Sequence, residues 1–346
     1  FHWLAEFYNI IHGNGGFDVI IGNPPYVVYT EANFVYKIPN NYTTKTCCNL
    51  YAYCFERSFL IQNKYGKCGM IVPNSSISAD KMIPLQKIIR NKHCSWISNY
   101  SWRPSKLFEG ADMLLAIVLT CHSDKEITYS SIYKKWYNEY RPCIFKNIAY
   151  VDVTNILIDG SIPKVPNKLI FPILNKMQNR SNSVYCASLF VHDNTEFYLY
   201  YFRAVQYWFK ILDRVPVFEE DGVKKVTGEM KTIYCNSEKE KYAIISFLSS
   251  TSFFLNYIIW SSCQVVNSRD FNVFFNMSIM KEETLHLLYK LGVMLQNDYQ
   301  KFSHIKKRNY SKKGREFSML KQHFFIKNSK PIIDEIDKVL AKHYGF

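Results

Sequence analysis

The sequence has no pair of cysteines spaced as C-x-x-C, although it contains ten cysteines. The adjacent Cys47 and Cys48 have no matching cluster elsewhere, and no two histidines flank a glutamate in the spacing H-E-x-x-H. Zinc sites and disulfide frameworks need such clusters. The sequence therefore predicts no metal site and no disulfide scaffold, and it indicates a reducing, cytoplasmic setting.

An uninterrupted apolar run of membrane-spanning length is also missing. The strongest candidate, AIISFLSSTSFFLNYIIW at 243–260, contains five Ser/Thr residues and one Asn. Polar residues at this density favour a helix buried inside the protein over one in a bilayer. We predict a buried helix over this stretch and no membrane partner.

Acidic residues are few. The chain has 43 Lys and Arg against 29 Asp and Glu, a formal net charge of +14. Residues 301–330 hold ten of the basic residues and one acid, Glu316. This excess indicates a polyanionic partner, although charge alone does not separate that from an ordinary solvated basic surface.

Short apolar runs alternate with helical stretches over the first 120 residues. FDVIIG at 17–22 lies between glycines and Asn-Pro, which is typical of a buried parallel strand. Apolar residues at helical spacing follow at 49–63, and Pro84 stands in the first turn of a second predicted helix at 80–92. The pattern predicts an α/β fold with a mainly parallel sheet.

The character of the sequence changes after residue 122, where the helix and strand alternation stops. Tyrosine-rich segments and turn signals at 195–240 predict strands and loops. A helix is predicted at the end of the chain, with Ser329 as its N-cap, Pro331 near its start and Gly345 after it. We divide the chain into 1–122, a connecting region 123–185, a mixed α+β domain 186–328 and the helix 329–346.

Asn23, Pro24, Pro25 and Tyr26 follow the first predicted strand directly. Prolines cannot continue a sheet ladder, and ligands of doubly wound sheets gather beyond the carboxyl ends of the strands. A stiff turn can aim the Asn23 side-chain oxygen and the Pro24 carbonyl at one amino group. Two such acceptors favour the pyramidal amine whose lone pair is free to attack, and Tyr26 offers a ring for a nucleobase to stack on.

These residues resemble a known family. GFDVIIGNPPYV at 16–27 is similar to motif IV of the amino-group DNA methyltransferases of the adenine-N6 type. Asn49-Leu50-Tyr51, GKCGMIVPNS at 66–75 and LFEGADMLLAIVLT at 107–120 are similar, in order, to later motifs of the gamma-arranged enzymes. The closing helix resembles the tail of bacterial type IIG restriction-modification proteins.

The resemblance implies roles for the four turn residues. Asn23 and Pro24 would hold the adenine amino group, Tyr26 would stack on the base, and Pro25 would stiffen the turn. S-adenosylmethionine would be the methyl donor. The segment 1–122 would be the later part of a Rossmann-like methyltransferase sheet, 186–328 the target-recognition domain, and the bacterial cytoplasm the location.

One departure from the family concerns the methyl donor. The family's donor pocket is built chiefly by a loop of the pattern F-x-G-x-G, which is absent here. HGNGG at 12–16 precedes a strand, whereas a donor loop follows a strand and opens a helix. The resemblance therefore implies that the donor pocket lies upstream of Phe1, in an N-terminal portion of a longer protein.

Double-stranded DNA is the predicted partner of the downstream half. Arg203 and Lys210 interleave with aromatics at 197–210, and the basic run 301–330 could follow a phosphate backbone. The candidate DNA-contacting residues are Arg203, Lys306, Lys307, Arg308, Lys312, Lys313 and Arg315.

Two other interpretations stay open. A methyltransferase acting on RNA or on a protein glutamine can share Asn-Pro-Pro-Tyr, because its target is also a planar amine. A DNA-specificity module without catalysis would share the basic downstream half. Arg141-Pro142-Cys143 superficially resembles the Pro-Cys nucleophile of cytosine-C5 methyltransferases, but it lacks the flanking residues of that site, and a structural cysteine is favoured.

Overall fold

The computed structural model describes residues 3–110, 112–178, 185–205, 207–312 and 314–346. The chain divides into two compact units. Unit 1 comprises residues 1–171 with 258–262, and unit 2 comprises 172–257 with 263–346. The division at residue 171 falls inside the predicted connecting region 123–185. The separate roles assigned to the segments on either side of that region remain predictions.

Unit 1 is built on one six-stranded sheet in the order β1-β2-β4-β3-β5-β6. Its strands are β1 (Phe17–Gly22), β2 (Gln62–Pro73), β3 (His93–Tyr100), β4 (Leu115–His122), β5 (Ile127–Lys134) and β6 (Val151–Asp152). Its helices are α1 (Trp3–Glu6), α2 (Leu50–Ile61), α3 (Ser75–Ser78) and α4 (Ile83–Arg90), with Pro84 in the first turn of α4. The predicted helices at 49–63 and 80–92 are thus confirmed as α2 and α4.

The sheet is mixed, and the prediction of a mainly parallel sheet is wrong. Pairs β1–β2 and β3–β5 are parallel, whereas β2–β4, β3–β4 and β5–β6 are antiparallel. The reason is the position of β4. It follows β3 without an intervening helix and turns back between β2 and β3, which reverses its direction relative to both neighbours. The architecture remains α/β, with further sheets in unit 2.

The two faces of this sheet differ in burial. Cys68, Met70 and Val72 of β2 are buried on one face, and side chains alternate between faces along a strand. Val19 and Ile21 of β1 point to the other face and are 55% and 82% exposed. The prediction of a buried first strand is therefore wrong, because β1 is an edge strand whose apolar side chains lie where no described element covers them.

A row of side chains crosses the uncovered face. The strand register aligns Ile21 with Gly69, Gly69 with Leu119, Leu119 with Trp96, and Trp96 with Tyr129. The Trp96 and Tyr129 rings stack at 5.8 Å, and Leu119 is 45% exposed. We call Ile21, Gly69, Leu119, Trp96 and Tyr129 the open row.

Unit 2 combines two smaller sheets with helices. Its strands are β7 (Tyr198–Phe202), β8 (Ile211–Leu212), β9 (Phe218–Glu220), β10 (Val223–Lys224), β11 (Met230–Tyr234), β12 (Ser303–Lys312) and β13 (Arg315–Phe324). One sheet has the order β11-β7-β8 and the other β10-β9-β13-β12. The strands and loops predicted for 195–240 are confirmed as β7 to β11.

The helices of the second half are α5 (Phe171–Met177), α6 (Glu238–Ser249), α7 (Thr251–Trp260), α8 (Glu282–Lys301) and α9 (Lys330–Tyr344). The stretch 243–260 was predicted as one buried helix but forms parts of α6 and α7, which meet at Ser250 with a bend of 58°. Residues 243–249 are buried, as predicted. Within the described residues no single helix is long and apolar enough to cross a membrane; α6 and α7 together pass by length and composition only.

Helix α9 confirms the predicted C-terminal helix. Ile333, Ile336, Leu340 and Tyr344 form its buried face, and Gly345 ends it at a φ of 71°. Ser329 occupies the N-cap position, but its side chain makes no capping hydrogen bond and its hydroxyl is buried without a partner. The predicted N-cap position of Ser329 is therefore confirmed, but this residue caps the helix without a side-chain hydrogen bond.

Candidate active site and nucleic-acid interface

The turn that contains Asn23, Pro24, Pro25 and Tyr26 leaves the carboxyl end of β1. Beyond the turn the backbone is fastened again, because the Leu50 amide donates to the Val27 carbonyl at 3.0 Å and the Tyr29 amide donates to the Cys48 carbonyl at 3.0 Å. The sheet holds one end of the turn and the start of α2 holds the other. Two prolines between these anchors leave the turn few alternative conformations.

The Tyr26 hydroxyl positions the Asn23 side chain. It lies 2.6 Å from the Asn23 Oδ1 atom and 3.0 Å from the carbonyl oxygen of Ile71 on β2, and its single proton is shared between these two acceptors. Burial raises the pKa of Tyr26 to about 12, so the hydroxyl keeps its proton at neutral pH. Asn23 Oδ1 has a second lone pair, and the Asn23 residue is exposed. One acceptor of the turn is therefore fixed in place and still open to a ligand.

The other predicted acceptor is the carbonyl of Pro24. Among the residues that the structure describes, no donor is bonded to this carbonyl. The Pro24 ring is buried, whereas the Pro25 ring is exposed. Burial of the Pro24 ring anchors the turn at the residue whose carbonyl is expected to accept a hydrogen from the amino group.

The Tyr26 ring is half-buried against a cluster of Tyr100, Leu107, Leu115, Trp136 and Ile144. Tyr51 of α2 meets it edge to face, with the ring centroids 6.4 Å apart. These supporting residues were not predicted as part of the site. Their sequence separation from Tyr26 explains this, because only the sheet register and the packing of α2 bring them together.

The glycine-containing segment 12–16 precedes β1 and packs on the end of α2. A Cβ atom on Gly16 would lie 2.6 Å from the backbone of residues 61–63, so this glycine allows close contact between the segment and the end of α2. In the described chain no group of three or more His, Cys, Asp or Glu residues could hold a metal ion. Close packing thus explains the glycine at position 16, and the F-x-G-x-G pattern of a donor loop is absent from the sequence.

The predicted DNA-contacting residues of 301–330 lie on a long hairpin formed by β12 and β13. Lys306 and Arg308 share one face of β12, whereas Lys307 points to the opposite face. Arg315 is paired with Asp221 at 3.2 Å and lies 3.5 Å from Glu220. The hairpin therefore brings together only some of the predicted contacts.

Three further predicted contacts are Arg203, Lys312 and Lys313. Arg203 follows β7 in the other sheet, where its backbone amide donates to the Glu229 carbonyl at 2.9 Å. Lys312 closes β12, and its side chain is outside the described part. Lys313 lies outside the described residues altogether.

Comparison with known proteins gives one family match. Residues 1–108, which include the turn 23–26, match the Eco57I family, described as Eco57I restriction-modification methylase. No curated protein matches the chain.

Several solved structures are similar to the chain at low identity. The Type IIL restriction-modification enzyme MmeI in complex with DNA is 10% identical at a TM-score of 0.47, over 95% of this chain and 54% of that one. A nuclease-deletion mutant of the Type ISP enzyme LlaGI with a DNA substrate mimic is 10% identical at a TM-score of 0.43, over 88% and 46%. The chain thus spans about half the length of these two proteins.

Proposed function

We propose that this chain is the target-holding and DNA-recognition part of a site-specific restriction-modification DNA methyltransferase of the type IIG kind, which acts on the N6 amine of adenine. The observation that carries the proposal is the exposed Asn23 Oδ1 atom, fixed by the Tyr26 hydroxyl at 2.6 Å beside a Pro24 carbonyl with no bound donor. The turn falls inside the 108 residues that match the methylase family.

The residues of this chain hold and orient the amine. An adenine in a duplex has its amino group engaged in pairing, so the base first rotates out of the stack. The exposed part of the Tyr26 ring receives the base. Asn23 Oδ1 and the Pro24 carbonyl then accept the two amino hydrogens, which favours the pyramidal nitrogen and directs its lone pair away from the turn. No covalent intermediate with the protein is needed.

S-adenosylmethionine, when bound, supplies the electrophilic methyl group that the amine receives. Because the segment 12–16 precedes a strand and does not open a helix, we propose that another segment binds the donor and packs on the open row. Ile21 at 82% exposure and Leu119 at 45% present an apolar surface there, and β1 is an edge strand. The sheet of unit 1 would then be the later part of a Rossmann-like methyltransferase sheet, in an enzyme of the bacterial cytoplasm.

The experiment that tests this function is a methylome measurement. The complete gene is expressed in a bacterial host that lacks adenine methylation, and the genomic DNA is sequenced for modified bases. We expect N6-methyladenine at every copy of one short sequence. Unmodified DNA together with retained duplex binding would favour the DNA-specificity module, and methylated RNA or protein glutamine with unmodified DNA would favour the other alternative.

Replacing Tyr26 with phenylalanine is expected to slow methylation about fivefold while leaving the ring in place. The substitution removes the hydroxyl that fixes Asn23 Oδ1, and one hydrogen bond contributes about 1 kcal/mol. Single-turnover rates on a duplex carrying the recognised sequence measure the effect. Tyr65→Phe is the matched control, because Tyr65 of the same unit is 81% exposed. Equal rates for Tyr26→Phe and the native enzyme would show that the hydroxyl does not position Asn23.

A further inference from the structure

One side of the β12–β13 hairpin concentrates positive charge. The antiparallel register places His304 opposite His323, Lys306 opposite Lys321 and Arg308 opposite Met319. Residues two apart on a strand share a face, so these side chains lie on the same side of the hairpin. Lys210 precedes β8; its Nζ atom lies 6.0 Å from the Phe324 ring at the base of the hairpin, and its charge acts on Lys321 and His323 of this side. We call the side formed by His304, Lys306, Arg308, Lys321, His323 and Lys210 the basic face.

The charges on the basic face oppose one another. Lys306 and Lys321 are directly opposite across the strands, an arrangement that destabilises a sheet. The pKa of His323 is lowered chiefly by burial and further by the charges of Lys321, Lys306, Arg308 and Lys210. Among the described residues, none of the lysines and arginines of the basic face forms a salt bridge.

Lys210 is more buried, and it also forms no salt bridge with another described residue. Its Nζ atom lies 4.4 Å from the centroid of the Phe202 ring and 6.0 Å from that of Phe324. Burial, followed by the charge of Lys321, lowers the pKa of Lys210 to about 8. An ammonium held among aromatic rings and other cations is stabilised when an anion binds beside it.

The opposite side of the hairpin lacks this concentration. Lys307 is exposed there, and across the strands Glu219 of β9 faces Leu320. Within the described part of the hairpin, the register places Glu220 beside the basic face, where it pairs with Met319. That carboxylate is bound by Lys225 at 2.8 Å and lies 3.5 Å from Arg315. Among the described residues, the cations nearer the base of the hairpin therefore have no carboxylate bound to them.

We propose that the basic face binds the phosphodiester backbone of duplex DNA, with Lys306, Arg308, Lys321 and Lys210 as the cationic contacts. The choice of duplex DNA as the polyanion rests on the proposed function. Lys210 and Lys321 extend the set of contacts beyond the predicted one, and Lys307 and Arg315 are excluded from it. Contacts to phosphate carry no sequence information, so this surface sets affinity and register and leaves base reading to other residues.

The test measures duplex binding by the whole chain at several salt concentrations. Anisotropy of a labelled duplex gives the affinity of the native chain, of Lys306→Ala, of Lys321→Ala and of the double variant. Loss of one phosphate contact should reduce the slope of log affinity against log salt by about 0.9. We expect the double variant to bind about tenfold more weakly at low salt, equally for different duplex sequences.

Lys307→Ala is the matched control, because it removes one positive charge from the same strand on the opposite face. Its salt slope should equal that of the native chain. An equal loss of affinity in Lys307→Ala and Lys306→Ala would overturn the proposal, as would native affinity in the double variant. The chain could instead bind a single-stranded RNA or an acidic peptide more tightly than the duplex. If the double variant loses that tighter binding, the basic face belongs to another partner and the proposal is overturned.

The pH dependence of binding tests Lys210 separately. A bound phosphate raises the pKa of Lys210 above its free value of about 8, so the contribution of Lys210 is complete below pH 8 and is lost as the pH rises through the bound value. The groups that face Lys210 are Lys321 and His323 on β13 and the rings of Phe202 and Phe324. Affinity of the native chain should therefore fall above pH 8, and Lys210→Met should remove that fall. An unchanged pH profile in Lys210→Met would exclude Lys210 from the contact.

Failure of the basic face as a DNA contact can be distinguished from failure of the proposed function. If the double variant binds normally and the methylome of its host is unchanged, the basic face is not the contact surface but the methyltransferase function stands. If the native chain does not bind a duplex and the complete gene leaves DNA unmodified, the function itself is wrong.

Discussion

Replacing Asn23 with alanine is expected to lower the rate of methyl transfer about 10²- to 10³-fold while duplex affinity stays within about twofold. Removal of one preorganised hydrogen-bonding group at the reacting centre typically has an effect of this size. Asn23 is exposed and its side chain is bonded to Tyr26, so its loss removes little packing. The substitution should therefore separate catalysis from binding and from stability.

The measurement combines single-turnover methylation with anisotropy on the same duplex. Asn91→Ala is the control, because Asn91 is an exposed asparagine of the same unit at the end of α4. Asn23→Asp keeps an oxygen for the amine and should retain more activity than Asn23→Ala. Methylation at the native rate in Asn23→Ala would remove Asn23 from its proposed role. A parallel loss of binding and thermal stability would instead indicate a structural role.

The candidate site illustrates what local sequence can predict. The position of the turn after a strand followed from one apolar run and two prolines, and β1 ends at Gly22, directly before Asn23. The bond of the Tyr26 hydroxyl to the Ile71 carbonyl could not be predicted, because it joins residues 45 apart in sequence. The direction of β4 and the exposure of Ile21 likewise depend on the order of the strands in the sheet.

The alternation of basic residues along the hairpin is visible in the sequence. The basic run 301–330 was predicted as one contact surface, yet its alternation places Lys306 and Arg308 on one side and Lys307 on the other. Strand periodicity would have separated them once Gly314 was taken as the turn, where φ is 77°. The place of Lys210 could not be predicted without the fold, because Lys210 lies outside the hairpin.

The close approach of α6 and α8 gives the largest expected effect on stability. Gly292 of α8 faces the backbone of α6, and a Cβ atom there would lie 2.3 Å from the carbonyl oxygen of Tyr242 and 2.9 Å from the Ser246 Oγ atom. Real side chains do not tolerate such distances, so the helices would have to separate. The Ser246 hydroxyl donates to the Leu288 carbonyl at 2.7 Å, and that bond would stretch with them.

Gly292→Ala is therefore expected to lower the free energy of unfolding of unit 2 by about 2 kcal/mol. Alanine in place of glycine favours a helix by about 1 kcal/mol, whereas overpacking of a core costs about 1–3 kcal/mol and the stretched hydrogen bond about 1 kcal/mol more. The steric cost outweighs the gain in helix propensity, so the substitution destabilises unit 2. Urea unfolding followed by circular dichroism measures the change.

Gly228→Ala is the matched control, because no atom lies within 4 Å of a Cβ placed on Gly228. Its free energy of unfolding should stay within about 0.5 kcal/mol of the native value. Gly292→Leu should prevent α6 and α8 from packing at all, since the added atoms extend further into the Tyr242 carbonyl. A native or higher unfolding midpoint for Gly292→Ala would mean that the helix propensity of alanine outweighs the contact, and that α6 and α8 can move apart at little cost.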